Sequence, residues 1–407
     1  MATGKPKHML EGYKVIDFSQ VLAGPTVTRL MAEMGAEVIK VELPPGGDRS
    51  RHLPYLRDGR SGYFVQQNRG KKSLCIDLKN PAGHAAVREL VGKVDVMVEN
   101  FAPGVIARLG LGYETVRQIN PRIVMCSISL CGQAGPMAFK PGFDHIGASL
   151  AGAIDMNGDP DGPPILNTMG IGDISTGVHG LSAVLAALLY RERGGSGQWV
   201  DVSLVDTYFH YHDLSAQVLS LSGGATKPQR SGGHHYLVCP AGIFKSRESY
   251  VFVVALDHQW PSLCRAIERP DLVEDPRFKT NPARVQHAAK LIETIEDWLQ
   301  AQSSDEEALR ILDENRVPNA PILSVEQAVN HPQLRARRTV RQIHDRILGD
   351  FLVPGVPIRF SEFPDELALE APFLGEHNAE VLQNYLGYSA ARVRELEASG
   401  VLQHADR

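Results

Sequence analysis

YKVIDF (13–18) and AEVIKVE (36–42) are short apolar runs, and what lies between them decides the fold. SQVLAGP (19–25) reads as a loop. From Thr26 to Gly35, the apolar residues Val27, Leu30, Met31 and Met34 recur at helical spacing. Gly35 then supplies a stop. Strand, helix and strand at this separation form a βαβ unit, which implies parallel neighbouring strands.

The pattern repeats downstream. SLCIDL (73–78) reads as a strand, and Pro81 opens a helix to Val91 from a position that favours proline. VDVMVENF (94–101) and RIVMCSISL (122–130) read as strands, with a helix expected across PGVIARLGLGYETVRQIN (103–120). Ile171 to Arg193 is the longest apolar helix, carrying Val178, Leu181, Leu185, Leu188 and Leu189 on one face. GGSGQ (194–198) turns it into a strand, WVDVSLVD (199–206). SGGATKPQRSGGHH (222–235) has the composition of a linker. Beyond it, to about Val325, come short strands such as YVFVVAL (250–256) and several polar helices, the texture of a second, smaller domain. The tail from Val353 to Leu402 can rejoin the first. The expected class is α/β with a doubly wound, Rossmann-like core.

The chain has 407 residues, of which 43% are hydrophobic and 22% charged, with a formal net charge of −5. That is ample for a large core and gives no electrostatic reason to expect nucleic acid. No repeat or low-complexity tract is visible. Cys75, Cys126, Cys131, Cys239 and Cys264 form no CxxC pair, which fits a reducing compartment. MATGKPKHMLEG (1–12) lacks a signal-peptide core. No run approaches the ~18 apolar residues of a spanning segment. The expectation is a cytoplasmic protein, or one of an organelle matrix, without a membrane partner.

Chemistry-bearing residues are few. GxGxxG is absent, so a dinucleotide cofactor has little support. Asp173 sits in MGIGDISTG (169–177) just before the long helix, where free backbone N–H groups and the helix dipole stabilise an anion. A capping aspartate is the commoner reason for such a position; the functional one is a nucleophile with small neighbours that admit a bulky acyl group. The same N–H groups are expected to stabilise developing oxyanions. Asn100 follows a strand at the end where open sheets bind ligands, although Asn before Pro103 also makes an ordinary turn. Lys79 and Arg108 have the charge to reach phosphates, but singly each reads as a solvated residue. Lys140, Asp144 and His145 cluster in KPGFDHIGASLAG (140–152), where acid–base chemistry and a structural histidine both remain open. His234 and His235 are adjacent, so they diverge, and no cysteine or carboxylate cluster joins them; a metal site is not expected. GxSxG, Walker and HExxH motifs are absent.

Seven segments, in order, resemble the class III CoA-transferase family, which includes formyl-CoA:oxalate transferase, carnitine CoA-transferase and α-methylacyl-CoA racemase. They are LEGYKVIDFSQVLAGP (10–25), GAEVIKVELPPGGDRSR (35–51), NRGKKSLCIDLKNPAG (68–83), VDVMVENFAPGVIARLGLGY (94–113), GDISTGVHG (172–180), GQWVDVSLVD (197–206) and LGEHNAEVL (374–382). The resemblance spans nearly the whole chain and implies that Asp173 is the catalytic nucleophile. It also implies a CoA site at Leu22 and Ala23, at the strand end Ile76, Asp77, Leu78 and Lys79, and at Asn100, Phe101 and Ala102. Arg108 and Lys140 would supply positive charge, and Asp144 would stand beside the nucleophile. The implied substrates are an acyl-CoA and a free carboxylic acid, with coenzyme A belonging to the substrate and no permanently bound cofactor. The implied fold is a large CoA-binding α/β domain from both chain ends (1–221 and 335–407), a small α+β domain (222–334), and an interlocked homodimer.

Some positions depart from the family pattern. Leu43 stands where relatives often have a CoA-contacting arginine, and Leu22 where oxalate-using relatives have glutamine, with Gln20 nearby. The glycine-rich lid is reduced to SGGHH (231–235). These changes favour an acid larger or more apolar than oxalate. Phe143 occupies the place of the racemases' histidine, with His145 two residues on, which argues against a racemase. The retained Asp173 argues against a non-catalytic CoA-binding subunit.

Overall fold

The computed structural model describes residues 7–405, which fall into two compact units. The first takes the chain up to Ala151, Met169–Tyr211 and everything from Arg335 on. Its centre is a six-stranded sheet of β1 (Lys14–Asp17), β2 (Glu37–Glu42), β3 (Lys71–Cys75), β4 (Val96–Glu99), β5 (Val124–Ser129) and β6 (Gln198–Ser203). Its strand order is β3-β2-β1-β4-β5-β6, and every neighbouring pair is parallel. This is the order of a doubly wound sheet, and the winding reverses between β1 and β4.

Alternation along each strand builds the layers. Val38, Val15, Val96 and Val124 lie in register across β2, β1, β4 and β5 and pack under the helices Ala23–Glu33 and Ile171–Glu192. The next residue of each strand, Ile39, Ile16, Met97 and Met125, faces the opposite layer, formed by Pro81–Val91, Tyr113–Ile119, Asn378–Leu386 and Ala390–Ala398. All eight side chains are fully buried. The C-terminal segment is stitched to the edge strand β3. The Cys75 N–H donates to Asn378 Oδ1 at 2.8 Å, the Gln403 N–H to the Cys75 carbonyl at 3.2 Å, and the Asp77 N–H to the Val401 carbonyl at 2.8 Å.

Boundaries differ from the sequence reading where local chemistry overrides pattern. The first helix starts at Ala23, ahead of Thr26, because Pro25 falls in its first turn, where no N–H is needed. The helix expected across 103–120 is two short ones, Val105–Arg108 and Tyr113–Ile119, broken where Gly110 turns left-handed at φ +69°. WVDVSLVD stops being strand at Ser203, whose hydroxyl accepts the Asp206 N–H at 3.0 Å and caps the helix Leu204–His210. The reading that no apolar run approaches spanning length needs correcting. Ile171–Glu192 has 22 residues and a mean hydropathy of 1.3, enough to cross a membrane by length and composition. Its face carrying Leu181, Val184 and Leu188 is buried in the core under the sheet.

The second unit takes Gly152–Thr168 and His212–Leu334. Its antiparallel sheet, Asn319–Pro321, Tyr250–Val254 and Ala241–Lys245, packs Phe244, Val251 and Val253 against Trp260, Leu291, Ile295 and Leu312. Arg284 is buried within it, donating to the carbonyls of Cys239 (2.6 Å) and Phe278 (3.0 Å) and pairing with Asp257.

Candidate active site

A cavity of about 620 Å³ opens at the carboxyl ends of the sheet strands, where the winding reverses between β1 and β4. Gln20 to Ala23 follow β1, Leu43 follows β2, Asn100 to Pro103 follow β4, and Ile128 to Leu130 close β5. Lys140 to Phe143, Arg49, Leu204 and Asp173 complete the wall. Of the residues singled out from sequence, Leu22, Ala23, Asn100, Phe101, Ala102, Lys140 and Asp173 therefore line one space. Leu78 meets Phe101 in a smaller adjoining cleft. Asp77 is half-buried, with its carboxylate accepting the Lys79 N–H at 2.8 Å, while Lys79 and Arg108 are exposed. Ile76 is sealed in the core.

Asp173 is the third residue of the long helix and is half-buried. Its backbone N–H donates to Asp144 Oδ2 at 3.0 Å, and the Gly172 N–H donates to the Tyr208 hydroxyl at 3.1 Å. The Tyr208 hydroxyl in turn donates to Asp144 Oδ1. Ile171 N–H is bonded to the Met169 carbonyl at 2.8 Å, and Ile174 N–H to the Gly170 carbonyl at 3.1 Å. The N–H groups of Ile171, Gly172, Asp173 and Ile174 are thus already engaged, while the helix dipole stays.

Gly172 is required by this packing. A Cβ there would stand 2.1 Å from Tyr208 Cε2 and 2.7 Å from Asp144 Oδ1. One turn on, Gly177 lets the helix approach the first helix to a point where a Cβ would meet the Ala23 carbonyl at 2.6 Å. Burial first, then the charge of Asp144, pushes Asp173 from its ordinary 3.8 up to about 7, against a smaller opposing pull from His145. Burial, then Asp173, Asp48 and Asp144, likewise pushes Tyr63 up to about 12.

The loop after β1 is held from below. Asn100 spends its whole amide on it, accepting the Gln20 N–H at 2.8 Å and donating to the Gln20 carbonyl at 2.9 Å. Val21 is left-handed at φ +66°, a costly conformation for a β-branched residue, and its N–H donates to Asp48 Oδ1 at 3.1 Å. Asp48 is paired with Lys40 at 2.8 Å, and Lys40 also donates to the Ser19 carbonyl at 2.6 Å. Asp17, beside them, is paired with Lys71 at 2.9 Å. Burial alone would raise Asp17, but Lys71 and Lys40 bring it down to about 2.

Sequence reasoning passed over Arg49, Tyr63, Lys40, Asp48 and Tyr208. Arg49 adds a cation to the cavity wall that Leu43 does not provide. Phe143, in the place of a racemase histidine, lines the cavity and is 73% exposed. His234 packs edge-on against Phe244, and His235 stacks on Tyr236. Among the described residues no three His, Cys, Asp or Glu side chains gather as a metal site would need.

Residues 10–378 match CoA-transferase family III. The mouse succinyl-CoA:glutarate CoA-transferase is 33% identical over 98% of this chain and 93% of its own length. The formyl-CoA:oxalate CoA-transferase of Streptomyces coelicolor is 34% identical, covering 97% of this chain and 99% of its own. The crystal structure of a CAIB/BAIF family protein from Brucella suis superposes with a TM-score of 0.80 at 33% identity, over 93% of this chain and all of the other. A wall of chemistry-bearing residues at the reversal point of a doubly wound sheet, with matches of this length, places the chain in CoA-transferase family III, and it is an enzyme that transfers coenzyme A.

Proposed function

We propose that the protein moves CoA from an acyl-CoA thioester to a free carboxylic acid with Asp173 as covalent nucleophile. The observation that carries this reading is the Asp173 carboxylate in the wall of the cavity at the sheet's carboxyl end. The carboxylate attacks the thioester carbonyl, the C–S bond breaks, and CoA leaves as thiolate with a mixed anhydride on Asp173. The thiolate then attacks the aspartyl carbonyl, forming the aspartyl-CoA thioester and releasing the donor acid. The acceptor carboxylate repeats both steps in reverse. Each step is attack at a carbonyl, so the reaction needs no resident cofactor.

The CoA moiety would lie along Leu22, Ala23, Phe101 and Ala102, with Lys140, Lys79 and Arg108 offering charge to its phosphates. The acids named for relatives are glutarate, oxalate and D-citramalate. Leu22, Leu43 and Phe143 on the cavity wall favour an acid larger than oxalate here, with succinyl-CoA as donor. Phe143 carries no titratable proton, which speaks against racemisation at an α-carbon.

The test is mass spectrometry after incubation with a panel of acyl-CoAs and quenching with hydroxylamine. A hydroxamate on the peptide holding Asp173, absent from Asp173→Ala, is expected. Its absence with every donor, together with deuterium wash-in at the α-carbon of a 2-methylacyl-CoA, would sink the reading. A homodimer belongs to the same proposal. Ile174, Val178, Leu189 and Tyr190 on the long helix are 43–56% exposed, and a second copy would cover them. Sedimentation velocity at micromolar concentration should show a dimer; a lone monomer would contradict it.

A further inference from the structure

Tyr208, Asp144 and the first turn of the long helix form a closed ring whose purpose the reaction above leaves open. Tyr208 is 8% exposed on the helix Leu204–His210. Its hydroxyl donates to Asp144 Oδ1 and accepts from Gly172 N–H, while Asp144 Oδ2 accepts from Asp173 N–H. Asp144 Oδ2 is thereby fixed on the main chain of the nucleophile, and Oδ1 on the Tyr208 hydroxyl. Asp144 is itself buried, so its charge acts through little solvent. The other titratable groups around Asp173 are His145, next to Asp144, and Tyr63 on the helix Gly62–Asn68. Arg49 and Lys140 line the same cavity.

We infer that Tyr208 is a positioning residue: it holds the Asp144 carboxylate beside Asp173, where its charge disfavours the free Asp173 carboxylate relative to the acylated forms of that residue. The inference rests on Asp173 being the nucleophile. When Asp173 attacks the thioester, one C–O bond forms, one C–S bond breaks, and the negative charge passes from the aspartate to the CoA sulfur. The repulsion from Asp144 exists before that step and not after it. A carboxylate held in this way gives up its charge to the substrate more readily than one bathed in water, and the fixed geometry spares any rearrangement during the reaction. The elevated proton affinity of Asp173, to which Asp144 contributes after burial, is the equilibrium face of the same repulsion.

Tyr208→Phe keeps the ring and removes only the hydroxyl, freeing Asp144 Oδ1. Two readouts follow. The acid limb of kcat/KM, expected near pH 7 in the wild type, should move down by about one unit. The fraction of Asp173 trapped as hydroxamate at saturating acyl-CoA should fall roughly tenfold, the equivalent of that unit. A merely structural tyrosine would lower kcat without moving the limb. Asp144→Asn, which keeps the shape and removes the charge, should move the limb the same way and decides the matter if Tyr208→Phe does not fold. A limb that stays in place or moves up overturns the inference. Hydroxamate in the wild type with an unmoved limb overturns this inference alone, whereas no hydroxamate in the wild type overturns the nucleophile itself.

Discussion

Asp173→Asn is expected to lower kcat by roughly 10⁴-fold or more, since no other carboxylate in the cavity wall can take over the covalent steps. The same change should make the protein more stable in alkaline solution, and the pH dependence of that gain is the sharper test. In the folded chain Asp173 is pushed from 3.8 up to about 7. Between those values the native state keeps a proton that the unfolded chain has lost, so native stability falls as pH rises through this window. Above pH 7 the full penalty of holding a half-buried anion beside Asp144 persists. Asparagine carries no charge and escapes it. The difference between variant and wild type should therefore be near zero around pH 4, grow through neutrality and level off above pH 7. Allowing for solvent at the cavity mouth, the plateau should be on the order of 2 kcal/mol. Thermal melts of both proteins at pH 5 and pH 8 measure it. An equal gain at both pH values would mean that asparagine packs better and that Asp173 is not under electrostatic pressure.

The alternation that builds the large sheet was legible because each strand carries its own evidence. Val15 beside Ile16 and Val96 beside Met97 are apolar on both faces, as strands covered by helices on each side must be. The βαβ order then placed the ligand end of the sheet, and with it Asn100, whereas the loop at Leu22 came from the resemblance. Asp173 could be picked out by its flanking glycines, but only the resemblance raised it above a capping aspartate. Tyr208 was hidden for a physical reason: its partners lie 36 and 64 residues away, so nothing local marks the hydroxyl as engaged. The Asp173 N–H was lost as an oxyanion donor for the same reason, since the side chain that takes it comes from 29 residues upstream. Lys40 went unremarked for a simpler reason. Within EVIKVE a lysine between apolar neighbours suggests a solvent-facing position, yet β2 is covered on both faces and Lys40 is fully buried.

Lys40→Met should destabilise the protein by roughly 3–5 kcal/mol, because it leaves a buried anion without its partner. Lys40 Nζ lies 2.8 Å from Asp48 Oδ2 and 4.0 Å from Asp17 Oδ2, and it donates to the Ser19 carbonyl at 2.6 Å. Asp17 keeps Lys71 when Lys40 is lost. Asp48 keeps hydrogen bonds from Ser50 and Val21, but no opposite charge remains within ion-pair distance among the described residues. The damage should reach the cavity, since Asp48 is what holds the Val21 N–H while that residue sits in its left-handed conformation. A relaxed loop would shift Leu22 and Ala23, so KM for the acyl-CoA should rise, by about tenfold for a contact worth ~1.4 kcal/mol. Urea midpoints and steady-state kinetics at 25 °C check the two effects separately. Asp48→Asn on top of Lys40→Met supplies the discriminating comparison. With the charge gone from both sides, the buried-anion penalty disappears, and the double variant should regain a large part of the lost stability. It should not regain the KM, because the neutral amide that replaces the Asp48 side chain is a weaker acceptor for Val21 than a carboxylate. If instead stability and KM recover together, the loop is held by packing alone and Lys40 matters only to the fold. If Lys40→Met unfolds at the wild-type urea concentration, the buried pair contributes nothing net, and the strained Val21 must be held by the Asn100 clamp on Gln20.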